Sequence, residues 1–379
     1  MIYKKFKDLE LSSLGLGMMR LPTVCGNDGV IDEKAAAEII YRAREGGINY
    51  FDTAYGYHGG MSEKVAAGKI LSKCPRDSYF LASKFPGYDL SNMGKIDKVF
   101  EEQLEKCNTD RFDFYLFHNV YEKNIGPYLD DEKYGLMSYL LKQKEKGRIG
   151  ALGFSVHGTI DVMKRFLDKY GDKMEFCQIQ LNYLDWNFQD AKAKVEELKK
   201  RGIPVWVMEP LRGGKLASLP QNRMQELEKM RPGVSAAQWA FRFIQSFEEV
   251  GVTLSGMSNL QQLEENIKIF SEKKPLDKNE FDSIVRMADE MTRKDVLPCT
   301  ACRYCVSKCP QGLDIPRLIE LYNEHIFTGG GFMAPMAVSA LDENKRPGAC
   351  VGCKNCETVC PQGIKISEAM SDFAERLGE

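Results

Sequence analysis

The sequence predicts an α/β fold: a closed (β/α)8 barrel followed by a small, mainly helical domain. Three observations carry that prediction. Strand-like apolar runs alternate with amphipathic helical runs from SSLGLGM to about residue 275. Eight such strands follow one another, apolar without alternation, as strands buried on both faces of a parallel sheet are. At Leu297-Pro298 the composition changes, and CTACRYCVSKCPQGLDI and CVGCKNCETVCPQGIKI repeat one pattern displaced by 51 residues. The expected division is residues 1–296, a barrel with a trailing helix, and residues 297–379. An open doubly wound sheet is the alternative, but no G-x-G-x-x-G follows any strand.

Taken in order, residues 1–22 read as a hairpin and a first strand, where Gly15 and Gly17 permit close backbone approach. Asp32 caps the helix DEKAAAEIIYRARE, which stops at Gly46-Gly47, and after the strand INYFDT, Ser62 is expected to cap SEKVAAGKILSK. The strand YFLASKF, the helix KIDKVFEEQLEKC, the strand FDFYLFH and a helix ending near Lys146-Gly147 complete the first half. The second half runs through IGALGFSV, a helix after Thr159, FCQIQLN, AKAKVEELKKR, PVWVMEP, a helix from Ser235 to Ser246, GVTLSGM and LQQLEENIKIF. Beyond Pro275 comes the helix KNEFDSIVRMADEM; in the tail, IPRLIELYNEHIF reads as helix and GGGFMAPMA as loop.

A hydrophobic content of 43% with 28% charged residues describes a soluble globular chain, and the net charge of -2 offers no footprint for nucleic acid or an anionic membrane. No apolar run reaches the roughly eighteen residues that span a bilayer. The start, MIYKKFKDLELSSLGLGMMRLP, lacks the apolar core of an export signal. A cytoplasmic protein is the expectation.

Eight of the twelve cysteines fall in the last eighty-one residues, at metal-ligand spacing. Cys25, Cys74, Cys107 and Cys177 share no pattern and read as buried or incidental thiols. Both clustered runs have the spacing C-x2-C-x2-C-x3-C-P. In two-cluster ferredoxins the first three thiolates of such a run hold one cubane and the fourth holds the other. Cys299, Cys302, Cys305 and Cys360 are therefore assigned to one 4Fe-4S cluster, and Cys350, Cys353, Cys356 and Cys309 to a second. Two zinc sites are the alternative; zinc modules usually pair C-x2-C units across a longer gap.

In the barrel, Asp52, Lys84 and His118 stand at the C-terminal ends of successive strands, where such barrels place their chemistry, and Tyr57 is one loop away in FDTAYGYHGG. Lys84, held by Asp52, is expected to lower the Tyr57 pKa, and a neutral His118 would donate to a carbonyl oxygen as it gains charge. Singly, Asp52 reads as a loop cap, Lys84 as a solvated charge and His118 as a core histidine; together they read as a site. His58, His157 and His325 share no spacing with it and read as structural or solvated. Trp186 is placed on a loop near the barrel mouth and Trp239 in a packing helix.

With D-T-A-x-x-Y, the following Lys and the following His in place, residues 1–275 resemble the aldo-keto reductases, and the added ferredoxin-like tail resembles their ferredoxin-fused subgroup. The resemblance implies a TIM barrel, hydride transfer between NAD(H) or NADP(H) and a small-molecule carbonyl or alcohol, and Tyr57 as proton donor. It carries nicotinamide contacts to Ser155, where Val156 replaces the family's Asn, to Gln178, and to Met208 in place of a stacking aromatic. Leu211 is carried over as a cofactor contact, and Arg212 and Lys215 beside Gly213-Gly214 read either as pyrophosphate ligands or as a surface charge pair on a loop. Ser258, Glu265 and Asn266 match the adenosine site, Gly256 and Gln262 replace the basic residues that usually hold a 2′-phosphate, and no Lys or Arg occurs between Thr253 and Asn266, so NAD(H) is expected to bind at least as well as NADP(H).

Two further readings stay open: an iron-sulfur electron-transfer protein coupling a redox partner protein to a flavin or substrate in the barrel, and clusters that are structural staples. The sequence holds no short flavin motif. Oxygen-sensitive clusters imply an anaerobic or microaerobic host.

Overall fold

The computed structural model describes residues 1–293 and 296–379. They form two compact units, Met1–Val285 and Arg286–Glu379. In the first, a hairpin of β1 (Tyr3–Phe6) and β2 (Leu9–Ser12) precedes eight parallel strands: β3 (Leu14–Gly17), β4 (Tyr50–Asp52), β5 (Phe80–Phe85), β6 (Phe112–Val120), β7 (Ile149–Val156), β8 (Phe176–Gln180), β9 (Val205–Met208) and β10 (Val250–Ser255). They pair in sequence order, and β10 returns to β3 to close the barrel.

Side chains rather than solvent fill the interior. Tyr50, Phe114, Phe176 and Trp206 are buried together, and Phe6 from the hairpin adds its ring to theirs, 5.2 Å from Trp206 and 5.6 Å from Phe114. Phe176 opens β8 and Trp206 is second in β9, so the hairpin plugs the N-terminal end of the barrel. Chemistry is left to the other end.

Helices cover the outside for the reasons their sequences suggest. Asp32 accepts from the Lys34 and Ala35 amides to start Glu33–Glu45, and Ser235 with Gln238 forms a capping box on Ala236–Gln245. Ser62 departs from expectation. It caps nothing; its hydroxyl lies 2.8 Å from that of Thr53 and donates to the Met18 carbonyl at 3.0 Å, tying the start of helix Ser62–Ile70 to two strand ends. That helix is π-wound and seats on helix Ile96–Cys107 at Gly68, where a Cβ would lie 1.9 Å from the Lys106 carbonyl oxygen.

The second unit shows its internal repeat in three dimensions. Turns Val306–Lys308 and Glu357–Val359 each precede a helix, Ile315–Thr328 and Ile366–Leu377, at the same displacement. Leu313, Leu318, Ile319, Ile364 and Met370 make their shared core. GGGFMAPMA is not all loop: Met333–Ser339 is helical, because Ala334 and Val338, four apart, bury one face against Leu321 and Phe373.

Gly68→Ala should lower the barrel's unfolding free energy by about 3 kcal/mol, since a backbone carbonyl cannot move aside as a side chain can. An unchanged urea midpoint would contradict this packing.

Candidate active site

The open end of the barrel brings all four expected residues together. Asp52 closes β4, Lys84 is next to last in β5, His118 lies in β6, and Tyr57 begins the turn Tyr57–Gly60. Lys84 is fully buried; its Nζ donates to Asp52 Oδ1 at 2.6 Å, to the Thr53 carbonyl at 2.8 Å and to the Tyr57 hydroxyl at 3.3 Å. The Tyr57 ring meets His118 edge-on with centroids 6.0 Å apart, and Tyr88, which the sequence reading passed over, does the same at 5.2 Å.

Burial governs the charges here. It pushes the Asp52 carboxyl up and the Lys84 ammonium down, while their mutual attraction opposes both shifts. His118 falls well below the usual imidazole range, through burial first and then the charge of Lys84 and the nearby His157, so its ring is neutral. Tyr57 moves opposite to expectation. Burial raises its phenol well above 10, with Asp52 and Glu209 adding to the rise.

A cleft of about 290 Å3 opens at the same end of the barrel. Leu211, Ser258, Gln262, Glu265 and Asn266 line it as expected, joined by Arg20 and Glu209, which pair at 3.3 Å. Arg212 and Lys215 are not among its lining residues. Arg212 turns to Asp185, 3.3 Å away, with its guanidinium over the Phe188 ring, while Lys215 is exposed. Gly213 and Gly214 take φ of 64° and 94°, and Gly256 passes so close to Arg20 that a Cβ would meet that side chain at 3.0 Å. Ser155 and Gln178 are buried cross-strand neighbours on β7 and β8; Ser155 accepts from the Asn119 amide at 2.8 Å, and Gln178 Nε2 is 3.7 Å from Met208 Sδ. The cleft wall thus combines bare glycine backbone, the Gln262 and Asn266 amides and the Arg20 guanidinium.

In the tail, Cys299, Cys302, Cys305 and Cys360 line one cavity, and Cys309, Cys350, Cys353 and Cys356 line the other. Ala301, Arg303, Gly352 and Lys354 all take positive φ, which turns successive amides of each loop toward one side, the concavity that holds Fe-S groups elsewhere. Among the described residues no three ligating side chains converge as a single metal ion requires. Four thiols around each cavity make the kind of ligand set that a 4Fe-4S group takes.

Residues 13–289 match the sequence model of the Aldo/keto reductase family, and residues 298–366 match that of the 4Fe-4S dicluster domain. The chain belongs to the aldo/keto reductase family. It is 27% identical over 286 residues to L-galactose dehydrogenase of Arabidopsis thaliana, covering 70% of this chain and 86% of that protein. It is 28% identical over 227 residues to the NADH-specific methylglyoxal reductase of Escherichia coli, covering 55% and 66%. In structure it superposes on the aldo-keto reductase AKR11C1 of Bacillus halodurans with a TM-score of 0.61 at 23% identity, over 76% of this chain and 96% of that one, which establishes the fold. No described helix is long and apolar enough to cross a membrane.

For this aldo/keto reductase the remaining expectations resolve as packing. Trp186 lies in the short helix Asp185–Phe188, and its ring meets Phe243, Phe247 and Phe281 rather than the cleft. Trp239 is buried, His58 bonds to the Asp28 carbonyl, and His325 packs on Phe373. Beside Tyr88, sequence reasoning missed Arg20 and Glu63. Arg20 follows the first barrel strand, so the rule applied to the next three strand ends would have found it. Glu63 is a fully buried acid in the helix SEKVAAGKI; its Oε1 accepts from Ser83 and Gln103, each at 2.6 Å, and Gln103 also donates to the Lys84 carbonyl at 3.0 Å.

Burial lifts Glu63 from 4.5 to about 7 against those hydrogen bonds. Between these values the folded chain holds an extra proton, so the stabilisation is present below 4.5 and is lost as pH rises through about 7. Glu63→Gln should therefore gain about 2 kcal/mol relative to the parent chain between about pH 5 and pH 8. Denaturant titrations at both pH values check this, and a constant difference would contradict it.

Proposed function

We propose that the chain interconverts a small polar carbonyl compound and its alcohol with a nicotinamide nucleotide, and that Tyr57 is the proton donor. The observation that carries this reading is Lys84, fixed by Asp52 and Thr53 and aimed at a buried phenol beside a neutral imidazole. Bound in the cleft, the nucleotide would supply a hydride to the carbonyl carbon. As the carbonyl oxygen gains charge, neutral His118 donates a hydrogen bond to it and Tyr57 passes it a proton. Lys84 then stabilises the phenolate, and Asp52 keeps the ammonium in place. In the resting site burial, with Asp52 and Glu209 adding to it, keeps Tyr57 protonated, as a donor must be. L-galactose dehydrogenase and methylglyoxal reductase, named among the similar proteins, point to a small oxygen-rich substrate.

Arg20 is the cleft's cation, but Glu209 pairs with it and Glu265 adds a second carboxylate, which disfavours the extra charge of a 2′-phosphate. We assign the two cysteine quartets to two 4Fe-4S clusters whose fourth ligands are exchanged between the runs. A second reading, electron transfer as the primary function, draws support from the exposure of Cys302 and Cys353. It needs a one-electron intermediary such as a flavin, so flavin extracted after anaerobic purification would favour it.

Tyr57→Phe should lower turnover of carbonyl substrate by about a thousandfold while leaving nucleotide affinity unchanged; wild-type turnover would remove the assignment. NADH should bind at least as tightly as NADPH in parallel titrations at one salt concentration, and a preference for NADPH of about a hundredfold, roughly 2.7 kcal/mol, would refute this. Cys309→Ala should damage the cluster held by Cys350, Cys353 and Cys356 rather than that of its own run. Iron counting with paramagnetic resonance reads the difference, and loss of the sequence-local cluster alone would overturn the exchange.

A further inference from the structure

Tyr57 is carried by a turn rather than by a strand, unlike Asp52, Lys84 and His118. Lys84 and the His118 ring meet its phenol, while its amide donates to the Ala54 carbonyl at 3.1 Å. The three residues that follow, His58, Gly59 and Gly60, all take positive φ, at 53°, 61° and 92°. Glycine suits that path; an L side chain such as that of His58 holds it only at a cost. The imidazole shows what offsets the cost. It is buried, and its Nδ1 lies 3.0 Å from the Asp28 carbonyl oxygen and 3.1 Å from Asp28 Oδ1. Both facing atoms are acceptors, so Nδ1 carries the hydrogen and donates across 30 residues of chain. Nε2 is buried with no hydrogen-bond partner among the described residues, so the ring is gripped at one edge.

Asp28 belongs to a loop that closes on itself. Thr23 bridges Ile31, and the Val24 amide donates to the Val30 carbonyl at 2.9 Å. Loop and turn also approach at two glycines, where a Cβ on Gly59 would lie 3.9 Å from the Gly29 Cα. The Asp28 side chain itself is largely in solvent, 77% exposed. A self-supporting loop thus grips the residue next to Tyr57 through one imidazole.

We propose that His58 is a positioning residue for Tyr57: clasped to Asp28, it holds the turn Tyr57–Gly60 so that the phenol stays within reach of Lys84. A donor followed by two glycines would otherwise move with a freely turning backbone, and a displacement of about 1 Å costs up to about a hundredfold in rate. The inference rests on Tyr57 as the proton donor, and the experiment separates the two claims.

The full-length chain is assayed with NADH and glyceraldehyde, with turnover expressed per nucleotide-binding site so that any unfolded fraction does not count. His58→Gly frees the backbone and removes the ring. It should lower kcat per site about thirtyfold with nucleotide affinity unchanged, and raise the solvent deuterium isotope effect on kcat as proton transfer becomes limiting. Amide exchange across residues 54–61 should quicken about tenfold, while that of the barrel strands stays as in the parent. His58→Asn keeps a donor of the same reach and tolerates positive φ, so it should restore kcat to within about threefold and return the exchange. Parent kcat in His58→Gly, equal losses in the Gly and Asn variants, or a loss with neither the isotope effect nor the exchange altered would overturn the clasp. Tyr57→Phe is run alongside: parent turnover there would overturn Tyr57 as the donor, whereas the exchange measurement would still read the clasp.

Discussion

The buried pair of Lys84 and Asp52 is the constraint around which the barrel's open end is arranged. Two charges taken out of water carry a desolvation penalty of several kcal/mol per ion, recovered only when geometry and further hydrogen bonds are good. Here one carboxylate oxygen and the Thr53 carbonyl receive the ammonium at 2.6 and 2.8 Å, leaving its remaining reach for the phenol. Parallel pairing of β4 with β5 brings these two strand ends side by side. The Phe6 plug fills the opposite end, so the interior beneath the pair is dry.

Around that pair, the same burial has different consequences according to what each group can bond. His118 loses its proton, Tyr57 keeps its own, and Glu63 is shifted toward the protonated form. Glu63 and Gln103 brace the Lys84 carbonyl from outside the strand, and Ser62 ties down the start of the helix that follows Tyr57. The active-site side chains are thus held from behind by polar contacts as well as by packing, the support that a preorganised site needs.

The tail solves a different problem. Its helices bury a small core around Leu313 and Ile366, and its eight clustered cysteines line two cavities that each draw on both halves of the repeat. Its folding and its metal binding are therefore expected to be coupled.

The alternating runs of this sequence determined the eight strands and the barrel, because strands covered on both faces must be apolar whatever their neighbours. Spacing alone grouped Asp52, Tyr57, Lys84 and His118, because each sits at a strand end or in the loop that follows, and strand ends in a barrel share one rim. The repeat and its prolines carried the crossed cysteine quartets. Other features were settled only in three dimensions. Arg212 reads as a phosphate ligand until Asp185 and Phe188 claim it, and Ser62 reads as a helix cap until Thr53 and Met18 come within reach. The direction of the Tyr57 shift depends on burial of the phenol first and on the approach of Asp52 and Glu209 second, none of which the local sequence reports. Arg20 joins the cleft across 189 residues of chain by its contact with Glu209. Sequence reports the period of burial, which is local; partner choice among polar groups depends on distances that exist only after the barrel has closed.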